Sequence, residues 1–142
     1  MIAPLVFTVA GSIATKGSTR AFPYRRKDGR IGVSVTHANR RTTGDQLRIA
    51  WAAQDAMLAT HREPFVGAVA VRIDVFLARP DSVKRALPTV KPDLDKLVRL
   101  VLDALARVVF GDDAVVCRLN ARKRYAASVA HPYVSIEVSE DA

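Results

Sequence analysis

The sequence is poor in the residues that build disulfide scaffolds, metal fingers and membrane spans. A single cysteine, Cys117, excludes an intramolecular disulfide. One cysteine with three scattered histidines, His37, His61 and His131, gives no zinc-ligand spacing. Cys117 falls in an apolar-alternating stretch, where a buried small hydrophobe is expected in a reducing compartment. No apolar run reaches the roughly 20 residues of a membrane helix. The apolar start, Met1 to Ala14, lacks the basic n-region of a signal peptide and alternates at Leu5, Phe7 and Val9 as a strand does, so a cytoplasmic protein with no membrane partner is expected. No internal repeat or low-complexity tract occurs. With 142 residues, 49% hydrophobic and 25% charged, the chain can bury a core, and one domain over residues 1–142 is expected.

Negative charge is also scarce. Fourteen Asp and Glu face 22 Lys and Arg, a net charge of +8, and such a chain attracts polyanions. The excess is localised: Lys16, Arg20, Arg25, Arg26, Lys27, Arg30, Arg40 and Arg41 are opposed only by Asp28. A basic loop at about 16–41, with a short extended piece near Ile31 to Val35, is the expectation, and a loop of that length is suited to tracking phosphates.

Residues 5–10 read as the first strand. From Thr43 the period becomes helical, with Thr43 or Asp45 as N-cap and Leu47, Ala50, Trp51, Gln54 and Leu58 on one face, which places Trp51 in the core. Val66 to Leu77 alternates as a strand. Arg79 to Pro92, with three prolines and four basic residues, is a loop. A second helix begins near Leu94, with Leu97, Leu100, Val101, Ala104, Leu105 and Val108 facing the core and Gly111 ending it. Val115 to Tyr125 and Tyr133 to Val138 supply two more strands. The fold class is α/β: a mixed sheet of about four strands packed with two helices.

The densest chemical signal is Lys91-Pro92-Asp93-Leu94-Asp95-Lys96-Leu97-Val98-Arg99, followed by Gly111-Asp112-Asp113. Asp93 and Asp95 sit two apart at a helix entry, where both carboxylates can converge; Asp112 and Asp113 reach that point only if the sheet brings their strand alongside. Convergent carboxylates suit a hard cation such as Mg²⁺. The same residues also serve plain structural ends: Asp93 as N-cap, Asp95 on the helix dipole, Asp112 and Asp113 in a turn, and Arg99 bridging Asp95 and Asp103. On the strand Val115 to Tyr125, Arg118, Arg122 and Arg124 share one face, which suits phosphate contacts as well as a solvated surface.

Taken together, Lys91-Pro92-Asp93-Leu94-Asp95-Lys96-Leu97, Leu102-Asp103-Ala104-Leu105 and Asp112-Asp113-Ala114-Val115-Val116 resemble the signature of RusA-type Holliday-junction resolvases. The resemblance implies a homodimer that cleaves branched DNA, four-way junctions above all, with Mg²⁺ or Mn²⁺, in the cytoplasm of a bacterial cell or phage-infected host. It implies Asp93, Asp95 and Asp113 as metal ligands with Asp112 adjacent, Arg99 and Lys96 at the scissile phosphate, and Lys16, Arg20, Arg25, Arg26, Lys27, Arg30, Arg118, Arg122 and Arg124 on DNA. Two positions depart from the pattern: Lys96 replaces the usual Asn, and Arg99 replaces the usual Lys, exchanging a mobile ammonium for a planar fork. The alternative is a non-catalytic DNA- or RNA-binding protein whose acidic cluster is structural.

Overall fold

In the computed structural model, residues 2–13, 19–37, 41–127 and 131–142 are described, without the side chains of 19–24, 33–37 and 41–43. The main sheet is laid down by alternation. In β1 (Leu5–Ala10) the odd positions Leu5, Phe7 and Val9 are buried and the even ones exposed. In β4 (Val69–Leu77) Val69, Val71, Ile73 and Val75 are buried, and in β6 (Tyr133–Glu140) Val134, Ile136 and Val138 are. The strand order is β1-β6-β4-β5, with β5 (Val116–Tyr125) parallel to β4 and the other pairs antiparallel. The fold is α/β with a mixed four-stranded sheet, as expected.

The buried strand residues join Ile49, Ala53 and Met57 of α1 (Arg41–Ala59) and Leu97, Leu100, Val101, Ala104 and Leu105 of α2 (Leu94–Leu105) in one core. The stripe expected on α2 is found from Leu97 to Leu105, whereas Val108 lies beyond the end of the helix and is half-buried. The face expected on α1 is not found. Leu47, Trp51 and Leu58 are exposed, Trp51 at 67%, and the helix turns Asp45, Ile49, Ala53 and Met57 inward instead. Two interleaved stripes of similar spacing run along α1, and the more compact one packs on β1 and α2. The helix also starts at Arg41, which places Asp45 inside it, 4% exposed and 3.8 Å from Arg48. It closes in a Schellman motif: Arg62 N–H donates to Met57 O, His61 N–H to Leu58 O, and His61 takes the left-handed conformation at φ 50°.

Four other expectations change. The basic segment is not loop: β2 (Thr19–Arg25) and β3 (Ile31–His37) form a separate antiparallel ribbon. Its turn is closed by Arg26 N–H to Arg30 O, Arg30 N–H to the Asp28 carboxylate, and Gly29 at φ 84°. β4 begins at Val69, because Phe65 makes an isolated bridge with Phe110 before the strand proper. α2 ends at Leu105, well before Gly111. Ala106 is extended and Arg107 left-handed (φ 69°), which lets Val109 and Phe110, both fully buried, turn back into the core. Cys117 is exposed, since β5 is an edge strand and the helices leave Cys117 and Leu119 uncovered.

Candidate functional site

Asp93 occupies the N-cap of α2 with extended backbone (φ −71°, ψ 137°), yet its carboxylate makes no capping hydrogen bond. The carboxylate is therefore not spent on the helix end. Lys96 Nζ lies 3.6 Å away, one turn on. Asp95 follows in the first helical turn, exposed, where the dipole favours negative charge; it has no ion pair or hydrogen bond among the described residues. Arg99 is also exposed, and no ion pair joins it to Asp95 among the described residues.

The second acidic group sits elsewhere. Asp112 caps a short 3-10 turn (Asp113–Val115), its Oδ1 accepting from Ala114 N–H at 2.8 Å. That bond, then a hydrogen bond with Asp113 and the charge of Arg107, holds the Asp112 carboxyl below its ordinary range. The same Asp112 hydrogen bond, with some burial and the charges of Asp112 and Asp103, pushes Asp113 up. Two adjacent carboxyls sharing one proton behave in this way. Asp112 is thus committed to its turn, and Asp113 is the more available acid.

The two groups lie at opposite ends of α2. Lys123, late in β5, donates to the carbonyls of Val90 and Pro92 beside Asp93, whereas Asp113 immediately precedes β5. Twelve residues of helix separate them by about 18 Å at 1.5 Å per residue. Among the described residues no group of three potential ligands converges. The oxygen-only donor set of Asp93 and Asp95 still fits Mg²⁺, which commonly takes one or two carboxylates and completes its shell with water and substrate phosphate.

The expected cationic surfaces are partly in place. Arg25, Arg26, Lys27 and Arg30 crowd the exposed turn of the ribbon. The side chain of Arg20 and the whole of Lys16 lie outside the described residues. On β5 the three arginines share the open face of the sheet, but two are engaged: Arg118 with Asp141 at 3.0 Å and Arg122 with Asp74 at 2.5 Å. Arg124 is exposed without an ion pair among the described residues.

The model of the endodeoxyribonuclease RusA family matches residues 18–138. The chain belongs to the RusA endodeoxyribonuclease family. The RusA match takes in the ribbon, both helices and both acidic groups, so it extends well beyond the signature around Asp93. No curated protein matches the chain.

Two residues of this RusA-family chain take contacts that local sequence does not give them. Asp74 is 8% exposed on the open face of β4, bonded to Arg122 and to Arg72 at 3.1 Å. Its burial alone would raise the carboxyl; the hydrogen bond and charge of Arg122, then those of Arg72, outweigh it and hold the pKa below the ordinary value. Lys123 is the other. Its position in β5, in register with Val75 and on the same face as Ala121, was the available signal: a cation at a site whose neighbours face the helices.

Proposed function

We propose that the chain is a Mg²⁺- or Mn²⁺-dependent endonuclease that resolves four-way junctions and related branched DNA in recombination and repair, working as a homodimer. The observation that carries this reading is the pair Asp93 and Asp95 at the entry of α2, with the first carboxylate unused by the helix and the second exposed. A hard cation held there would activate a water and neutralise the scissile phosphate. Lys96 orients Asp93, and exposed Arg99 offers a fixed fork to a phosphate oxygen. The ribbon, about 23 Å long over seven paired residues, is slim enough for a major groove, which admits a two-stranded β-ribbon. Its Arg25, Arg26, Lys27 and Arg30 then meet the backbone of a DNA arm.

One observation favours the non-catalytic alternative: the acids are split between the two ends of α2. Two copies related by a two-fold axis with their α2 helices antiparallel answer it, because Asp93 and Asp95 of one copy then face Asp103 and Asp113 of the other. The exposed stripe Leu47, Trp51 and Leu58 gives a second copy apolar surface to cover.

Cleavage of a synthetic four-way junction with Mg²⁺, against retention without cleavage in EDTA, tests the activity. Mixed dimers test the architecture. Asp95→Asn and Asp113→Asn homodimers are each inactive, but mixing them creates one intact composite site in each heterodimer and restores nicking. If mixing restores nothing while the single variants still bind junctions, the acids do not work across the dimer.

A further inference from the structure

The loop that joins β4 to α2, residues 78–93, carries Arg79, Lys84, Arg85 and Lys91 and ends on Asp93, yet it contains no regular element to stiffen it. Two side chains from the end of β5 hold it instead. The guanidinium groups of Arg79 and Arg85 each lie over the Tyr125 ring, 5.8 Å from its centroid. Two residues earlier on the same strand, Lys123 Nζ donates to Val90 O at 2.5 Å and to Pro92 O at 2.9 Å. Pro92 O belongs to the peptide that links Pro92 to Asp93, so the ammonium fixes the plane from which the Asp93 backbone departs. The loop's own backbone bonds, Val83 N–H to Pro80 O and Thr89 N–H to Leu87 O, stop short of Val90; from Val90 to Asp93 the other backbone bond among the described residues is the first helical one, from Leu97 N–H to Asp93 O.

We propose that Lys123 is a positioning residue: by bonding the carbonyls of Val90 and Pro92 it sets the direction of the Asp93 carboxylate and so the cation affinity of the Asp93–Asp95 pair. The inference rests on the function proposed above. A lysine serving DNA directly would hold its ammonium out to solvent, whereas this one has two of its three donors committed to backbone carbonyls. Acting through a ligand's support is a recognised route to metal affinity, and losing such support typically costs about 10–100-fold.

The test uses full-length protein and two separable readouts: Mn²⁺ binding followed by electron paramagnetic resonance without DNA, and junction affinity in EDTA. Lys123→Met keeps the length and loses the donors. It is expected to weaken Mn²⁺ binding about tenfold and to leave junction affinity within about twofold, while Lys123→Arg, which retains donors, recovers most of the Mn²⁺ affinity. Unchanged Mn²⁺ affinity in a folded Lys123→Met overturns the proposal. So does a loss of junction affinity with a shallower salt dependence and normal Mn²⁺ binding, which would make Lys123 a DNA contact. If Lys123→Met fails to fold, Lys123→Gln, too short to span both carbonyls, must show the weakened Mn²⁺ binding; wild-type affinity there refutes the idea. Should the protein bind Mn²⁺ normally but cut no junction, the functional reading fails while this inference stands.

Discussion

Asp74→Asn isolates the ion network on the open face of the sheet. Asparagine keeps the shape and one acceptor, but removes the charge that holds Arg122 at 2.5 Å and Arg72 at 3.1 Å. A hydrogen bond to a charged group contributes about 1.5–3 kcal/mol. Both guanidinium groups are partly solvated, with side chains 39% and 51% exposed, so the pair is nearer the low end, about 2 kcal/mol in total after discounting for solvent screening. In a chain of this size that lowers Tm by about 7 °C. The pH dependence has a definite sign. Asp74 has a lowered folded pKa, so its contribution is complete above the unfolded value of about 3.9 and is lost as pH falls through the folded value. Melting curves of wild type and variant should run parallel from neutral pH to about 4 and converge below it. The variant also releases two arginines. If the open face lies on DNA, binding tightens and the salt slope steepens by about one to two counterions. An unchanged Tm at neutral pH would refute the energetic argument, and an unchanged salt slope would remove this face from the DNA interface.

Four further outcomes are expected. Asp93→Asn and Asp95→Asn should each abolish junction cleavage while binding in EDTA persists or tightens, as carboxylate repulsion of phosphate is removed; wild-type cutting by either variant rejects the site. Neutralising Arg25, Arg26 and Lys27 together should weaken binding and flatten the salt slope by up to about three counterions, measured by fluorescence anisotropy across a salt series. Arg99→Ala should lower the single-turnover rate about 100-fold with little change in Tm, because Arg99 is exposed and has no ion pair among the described residues, and Arg99→Lys should preserve or raise the rate. Phe110→Ala should cost about 3–5 kcal/mol in chemical denaturation, since Phe110 is fully buried where α2 turns into β5.

Periodicity was informative wherever one face of an element is dry. β1, β4, β6 and the stripe of α2 follow directly from alternation or 3.6-residue spacing. It misled on α1, because Leu47, Trp51 and Leu58 repeat as regularly as Ile49, Ala53 and Met57, and only packing against β1 and α2 chooses between them. Cys117 misled for a related reason: alternation in an edge strand gives a face, not a cover for it. The ribbon was hidden by its charge, since Arg25, Arg26, Lys27 and Arg30 sit in and beside its turn and dominate the composition. At the candidate site, local sequence offers residues but not their spacing in three dimensions. The 12-residue length of α2 already implies that Asp93 and Asp113 stand far apart, and only the pairing of β5 parallel to β4 shows that the sheet does not bring them back together.

The placement of Trp51 has an optical consequence. It is the only tryptophan in the chain and is 67% exposed on the outer face of α1, so the indole emission of a dilute, lone copy reports a single, largely hydrated position. Any body that settles on that face dries the ring and moves its emission to shorter wavelength, without a label and without disturbing the acids on α2. A blue shift that grows with protein concentration alone would reveal self-association at this face, and one that appears only on adding junction DNA would place nucleic acid there instead.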